Sequence, residues 1–290
     1  MNAGAATLFD VLEPIADVAV AKPAPALRGA IENYVGYRYV GFQSGLHRGL
    51  PSRQLTFIIS LDEPVEMAEL PNPQQPSATM AAFVAGLAPA PALIRHDGTQ
   101  YGIEIELTPL GARTLFGLPA RDLAWYVVAL DDLLSSSADE LLDRVATAPE
   151  WSHRFGILDE VLLREIRETR LPSPEVVHAW NCLVASEGGI EVHTLAREVG
   201  WSRRHLGERF RDEFGVTPKV MGRVMRFEQA RRLLQTPAHP SLADVAAMCG
   251  YYDQAHMTRE WNELAGCTPT VWMAEDLPSV QDTLVTAAAS

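Results

Sequence analysis

The last third of this 290-residue chain contains one pattern twice. Leu195, Ala196, Gly200, Leu206, Phe210, Gly215, Thr217 and Pro218 return as Val245, Ala246, Gly250, Met257, Trp261, Gly266, Thr268 and Pro269. The offset is 50 residues up to the glycine and 51 after it. A constant period with one inserted residue specifies one supersecondary unit used twice. In the first copy Leu195 and Val199 sit one helical turn apart, and Gly200 suits the positive φ that stops a helix. After a tight turn through Trp201, Ser202 caps a second helix, with Leu206 and Phe210 on its inward side and Gly215 at its end. In the second copy Val245 and Met248 belong to the first helix, Gly250 and Tyr251 make the turn, and Asp253 caps a helix that buries Met257 and Trp261. Helix, glycine turn, helix is the helix-turn-helix pattern.

At about 100° per residue, taking Leu206 as the inward direction turns Arg204, Gly207, Glu208 and Arg211 outward. The same construction on Met257 exposes Ala255, Thr258, Arg259 and Asn262. In a helix-turn-helix the second helix enters the major groove and its N-terminal residues reach base edges, which singles out Arg203, Arg204, Gln254 and Arg259. Arginine donates bidentately to guanine O6 and N7, glutamine pairs similarly with adenine, and alanine or threonine methyls meet the thymine methyl. For any single side chain, the competing reading is a solvated helix face.

Between the copies, residues 220–235 read as one helix with Val224, Phe227, Ala230 or Arg231, and Leu234 at helical spacing, stopped by Thr236 and Pro237. A rigid rod fixes the separation of two reading heads, and successive major-groove faces on one side of B-DNA lie roughly 34 Å apart. One chain of this design reads two groove segments without dimerising.

This order of copy, linker helix and copy, with the stretches GYYDQAHMTREW (Gly250 to Trp261) and GCTPTVW (Gly266 to Trp272), resembles the AraC/XylS family of bacterial transcription regulators over about 100 residues, 175–275. The resemblance implies double-stranded DNA as the partner. It also implies contacts from Arg203, Arg204, Gly207 and Glu208 in copy one, and from Gln254, Ala255, Thr258 and Arg259 in copy two; Arg211 shares the outward face. Glu208 departs from the basic or amide residue expected there. A carboxylate accepts from cytosine N4, or is repelled by phosphate and contributes nothing.

The net charge of −13 opposes a nucleic-acid partner only if it is spread evenly. It is not: residues 1–190 hold 13 Lys/Arg against 24 Asp/Glu, residues 191–274 hold 11 against 10, and the remainder adds three acids. Residues 197–232 hold ten bases against five acids. Phosphate neutralisation by so weakly basic a module predicts modest, salt-sensitive affinity, with copy one anchoring and copy two adding selectivity. The start lacks a secretory apolar region and no apolar run approaches 18 residues, so a cytoplasmic protein without a membrane partner is expected. Cys182, Cys249 and Cys267 lack metal-like spacing, and the first two read as small core residues.

Residues 25–118 alternate β-branched and aromatic runs with Pro and Gly: 34–42, 55–61, 80–85 and 103–107 read as strands, and Pro71, Pro73 and Pro76 mark a loop. In 101–107, Tyr101, Ile103, Ile105 and Leu107 alternate with Gly102, Glu104 and Glu106, the pattern of a half-buried strand. The family resemblance implies a cupin-like sensing barrel here. The expected fold is therefore α+β: an N-terminal β-rich cupin-like barrel with helices, then an all-α domain of two helix-turn-helix units joined by a linker helix. Tyr37, Arg38, His47, Arg48, Arg95 and His96 are the candidate effector-pocket residues, since a barrel mouth with a few polar groups suits a small molecule; each is otherwise a loop or edge-strand side chain. The His-x-His pair of a metal cupin is absent, and neither a metal nor a cofactor is expected. Helices are expected over 121–134, 138–148 and 152–169. In the last, Phe155, Leu158, Leu162 and Glu165 or Ile166 form a stripe that packs on the barrel or pairs with a second copy, with the homodimer favoured. Leu171, Pro172, Ser173 and Pro174 break the pattern. The expected domains are 1–170 and 175–275, with the linker at 171–174 and a flexible tail at 276–290.

Three function classes compete. An effector-responsive, sequence-specific transcription regulator needs the paired unit, a small-molecule effector and, for activation, contact with RNA polymerase. An architectural DNA-binding protein would use the first half for assembly alone. An enzyme of the DNA-repair methyltransferase type would need a reactive cysteine upstream, and the first 181 residues contain none. No Ser/His/Asp order, phosphate-binding loop or carboxylate pair stands out, and catalysis is not expected.

Overall fold

The computed structural model describes residues 14–170, 172–238 and 240–275. Among the described residues, ten strands lie in the first half: β1 (Ile15–Ala21), β2 (Ile31–Val40), β3 (Gly45–Gly49), β4 (Leu55–Ser60), β5 (Val65–Glu69), β6 (Ala78–Met80), β7 (Ala82–Ala85), β8 (Ala92–His96), β9 (Gln100–Leu107) and β10 (Val127–Ala129). They pair antiparallel into a six-stranded sheet, β1-β2-β9-β4-β7-β10, and a four-stranded sheet, β3-β8-β5-β6. Tyr37, Thr56, Ile58, Phe83 and Glu104 of the larger sheet and Val65, Met67 and Ile94 of the smaller surround a common cavity, which makes the half barrel-like. The mixed α+β architecture is the one the sequence implies.

The middle strands of the larger sheet, β4 and β9, are largely buried on both faces. The far side of the sheet carries Tyr34, Phe57, Ile59, Ile103, Ile105 and Leu107 against α1 (Gly111–Phe116), α2 (Asp131–Leu134), α3 (Ser136–Thr147) and α4 (Trp151–Arg164). Tyr34 stacks on Phe155 at 5.8 Å between centroids, and the Trp151 indole fills the space a Cβ on Gly36 would need. The alternation over 101–107 is therefore real, but its polar face is not solvated: Glu104 is 3% exposed and faces the cavity. A half-buried strand is corrected to a doubly buried one.

Two helix expectations also change. Residues 121–134 are not one helix. Trp125 takes φ 71°, its N–H donates to the Leu87 carbonyl, and β10 adds to the sheet edge before α2 begins. Closing the sheet outweighs helical propensity there. The helix expected to reach residue 169 stops at Arg164, where the Arg167 N–H donates to the Thr114 carbonyl and draws the chain along α1. The stripe Phe155, Leu158 and Leu162, joined by Val161, packs on the barrel, so it is not the dimer face favoured from sequence. Leu163 and Ile166 remain 38% and 40% exposed.

The second half is α5 (Pro174–Ala185), α6 (Val192–Glu198), α7 (Arg203–Phe214), α8 (Pro218–Leu234), α9 (Leu242–Met248), α10 (Gln254–Ala265) and α11 (Pro269–Met273). The repeat is exact in its stereochemistry. Gly200 and Gly250 take φ 71° and 73° in the turns, and Gly215 and Gly266 take 75° and 70° after the second helices. Ser202 and Asp253 cap α7 and α10 through the N–H groups of His205 and His256, and Thr217 and Thr268 cap α8 and α11. The inserted residue that moves the offset from 50 to 51 lies in the second turn, where Tyr251 is buried like an anchor and Tyr252 is 92% exposed. Trp180, Phe210 and Phe214 build one core, and Phe227, Trp261 and Trp272 the other, with α8 between them. Cys249 and Cys267 are buried and Cys182 is half-buried. Among the described residues no helix is long and apolar enough to cross a membrane. Leu171 of the expected linker and the expected tail at 276–290 lie outside the described residues.

Candidate nucleic-acid interface

Helix α7 forms because Ser202 satisfies a first-turn N–H and Leu206, Phe210 and Phe214 recur on one side, all at 0% exposure. What remains faces outward: Arg203, Arg204, Glu208 and Arg211 are exposed, and a Cβ on Gly207 would meet nothing within 4 Å. In α10, Met257 and Trp261 are buried, while Gln254, Ala255 and Arg259 are exposed and Thr258 half-exposed. The outward sets read from the sequence thus share the outer face of their helices. Arg204 Nε donates to Glu208 Oε1 at 2.8 Å, one helical turn away, and this bond holds the Glu208 carboxyl below its usual range.

The local excess of bases is smaller than the sequence suggests. Arg223 Nε and Arg226 Nη2 of α8 donate to the two carboxylate oxygens of Glu260 at 2.9 and 3.2 Å, and Arg223 also pairs with Glu263. Arg232 pairs with Glu187 at 2.8 Å, and Arg231 is 4% exposed. These four arginines tie the rod to its neighbours. Arg197, Arg203, Arg204, Arg209, Arg211, Lys219 and Arg259 are exposed.

The barrel half holds the far ends of both outward helices, a feature no sequence periodicity announces. Arg113 of α1 makes two 2.6 Å hydrogen bonds to the Glu213 carboxylate near the end of α7, and Arg121 Nη1 donates to the Asp212 carbonyl at 2.7 Å. Arg48 Nε donates to the Ala265 carbonyl at the end of α10 at 2.9 Å, and its Nη1 pairs with Glu275. Ser52 Oγ and the Arg53 N–H both donate to Glu228 Oε1 of α8, at 2.9 and 3.0 Å. Among the described residues, Arg203, Arg204, Gln254 and Ala255 in the N-terminal halves of α7 and α10 are exposed.

Of the six candidate effector residues, the structure brings three to the cavity between the two sheets. Tyr37, His47 and Arg48 line it with Glu104, Gln100 and a largely apolar set that includes Ile58, Met67, Phe83 and Ile94; its free volume is about 100 Å³. Burial, then the Glu104 charge, pushes the Tyr37 phenol up, and burial beside His96 lowers His47 to about 3, so its imidazole is neutral. Arg95 and His96 line a neighbouring depression of about 560 Å³ that shares Tyr37, Val65 and Gln100 with the first, with Arg95 bonded to Glu66 at 2.8 Å. Arg38 lies outside both cavities, its guanidinium 5.9 Å from the Tyr101 ring. Glu104 was missed from sequence because a carboxylate on an alternating strand reads as solvated, and Ser52 and Gln54 were missed because nothing in their pattern sets them apart from a loop.

Comparison with known proteins places this arrangement. A helix-turn-helix domain family model matches residues 195–275. The xylose operon regulatory protein of Escherichia coli K12 is 29% identical over 149 residues, covering 47% of this chain and only 38% of the relative. The probable transcription factor PqrA of Proteus vulgaris is 35% identical over 81 residues, 28% of this chain and 66% of the relative. The chain thus spans about two-fifths to two-thirds of these relatives. ToxT of Vibrio cholerae, 11% identical, aligns over 90% of this chain and 97% of its own with a TM-score of 0.50, a likeness of fold. Residues 195–275 thus form a helix-turn-helix domain of the matched family, and the barrel-like half followed by duplicated helix-turn-helix units on one rod is similar in fold to ToxT.

Proposed function

We propose that this protein is a sequence-specific DNA-binding transcription regulator whose barrel takes a small-molecule effector. The observation that carries the DNA reading is the pairing of two capped helices, α7 and α10, whose N-terminal halves are exposed while their C-terminal ends are anchored. That is the half a helix-turn-helix presents to base edges. Arg203, Arg204, Gly207, Glu208 and Arg211 of one helix, and Gln254, Ala255, Thr258 and Arg259 of the other, are the contact set.

The effector reading rests on the cavity. A small ligand with an apolar body and one or two polar groups matches its lining, with Tyr37, His47, Arg48 and Glu104 as the polar contacts. The segment 48–54 supports a route for the response, since Arg48, Ser52 and Gln54 line the cavity while Arg48 and Ser52 also bond α10 and α8. A ligand that favours one arrangement of this segment shifts the DNA-binding domain only by its differential affinity for the two arrangements. RNA polymerase contact belongs to the same reading for an activator.

Selection from a random-sequence duplex library followed by footprinting tests the DNA reading; absence of any sequence-selective protection at low salt refutes it. A metabolite screen by thermal shift tests the effector reading, because a ligand of the folded state alone raises stability by RT ln(1 + [L]/Kd). Silence across a broad library at saturating concentrations favours an assembly role for the barrel.

A further inference from the structure

The departure at position 208 acquires a meaning from its partner. Arg204 is 90% exposed and Glu208 51%, and their one bond runs from Nε to Oε1. The two terminal guanidinium nitrogens of Arg204 and the second Glu208 oxygen have no protein partner among the described residues. A guanidinium bonded through Nε keeps its end-on pair of donors, Nη1 and Nη2, and is biased toward the rotamers that reach Glu208. Those two donors match guanine O6 and N7. On the other flank of Arg204, Gly207 carries no side chain, and its Cβ position is open.

We propose that Arg204 and Glu208 act as one reading element for a guanine and a nearby cytosine. Glu208 positions Arg204 for end-on bidentate donation to guanine, and its remaining carboxylate oxygen accepts from cytosine N4 about one turn of helix, or about 6 Å, further along. Among the four bases, cytosine alone offers the major groove a donor without an acceptor beside it on the same base; adenine sets N7 next to its N6 amine, and a carboxylate is repelled by N7. An unpaired carboxylate in this place would weaken binding to every duplex, whereas a paired one sharpens the choice among them. This inference rests on the DNA-binding reading above.

The test is selection from a random-sequence duplex library by the full chain and by its Arg204→Ala, Glu208→Ala and Glu208→Gln variants. Thermal unfolding serves as the fold control, since both side chains are exposed. Wild-type sites should enrich a guanine with a cytosine within two base steps, each favoured about 5- to 150-fold over the other bases, the span of a good side-chain to base pair. Arg204→Ala should lose the guanine preference. Glu208→Ala should lose the cytosine preference and reduce the guanine preference several-fold. Glu208→Gln retains an acceptor for Nε but adds an amide donor, so guanine should persist while the second position moves from cytosine toward adenine. If the Glu208 variants keep both preferences, or Glu208→Ala tightens binding to all duplexes equally, the carboxylate only repels phosphate and the proposal fails. If the wild-type chain enriches no sequence at all, the DNA-binding reading itself fails.

Discussion

Replacing Arg113 by alanine tests the claim that the barrel half grips the first outward helix. Arg113 Nε and Nη2 each donate to a Glu213 oxygen at 2.6 Å, with the Glu213 side chain 7% exposed and that of Arg113 21%. Removing one member of a fully buried pair costs about 3–5 kcal/mol, chiefly because the other charge is stranded. Here one-fifth of the arginine already meets water, which enters the vacated space, so the expected loss is about 2–3 kcal/mol. Glu213→Gln keeps an acceptor and carries no charge, so it should cost less. The double variant Arg113→Ala with Glu213→Gln removes the stranded charge, and its loss should fall short of the sum of the single losses by at least about 1 kcal/mol. Urea unfolding of the full chain, followed by tryptophan fluorescence, measures all three, provided the m-values agree. A loss below about 0.5 kcal/mol for Arg113→Ala, or additive losses, would show that the contact does not hold the halves together.

Further outcomes follow from single sites. Gly207→Ala and Gly156→Ala place methyls where nothing lies within 4 Å; each should stabilise its helix by about 0.5–1 kcal/mol in thermal unfolding, and destabilisation by either would contradict the geometry. Burial, opposed by the Asn33 hydrogen bond, raises the Glu106 carboxyl from 4.5 to about 7, so the folded chain holds an extra proton in that window. Stability should therefore fall as pH rises from about 5 to 7, by at most about 1.4 kcal/mol per unit, and Glu106→Gln should abolish that slope. His47, lowered from 6.5 to about 3, has the opposite sign: its contribution is lost as pH falls below about 6.5, and His47→Gln should protect against acid. With Arg223, Arg226, Arg231 and Arg232 held in structural contacts, six exposed bases besides Arg204 remain for phosphate, namely Arg197, Arg203, Arg209, Arg211, Lys219 and Arg259. The slope of log K against log salt should then not exceed about −5, and a slope near −9 would mean the α8 arginines leave their partners.

What the sequence disclosed and what it withheld have distinct physical causes. The helix-turn-helix pair was legible because glycine φ, side-chain caps and a four-residue apolar step are local requirements that must recur wherever the unit recurs. The change of offset even marked the turn that carries Tyr252. The barrel was legible only in part. The strands in the middle of the larger sheet show apolar runs, whereas β1, β3, β5 and β8 have mostly half-exposed or exposed residues and no clear alternation. Glu104 was read as solvated because alternation reports two faces and not what covers each one. Trp125 and β10 defeated a helical pattern because pairing with β7 depends on a strand about 40 residues away. The contacts Arg113–Glu213, Arg48–Ala265 and Ser52–Glu228 span 100, 217 and 176 residues, and no periodicity records such partners.

The most direct measurement is a hydroxyl-radical footprint of the full chain on a duplex selected from a random library. Two outward helices fixed on α8 predict two protected segments about one helical turn, roughly 34 Å, apart on one face of the duplex. They also predict that Arg204→Ala weakens protection of one segment and Arg259→Ala that of the other. A single protected segment, or protection on opposite faces, would contradict the account.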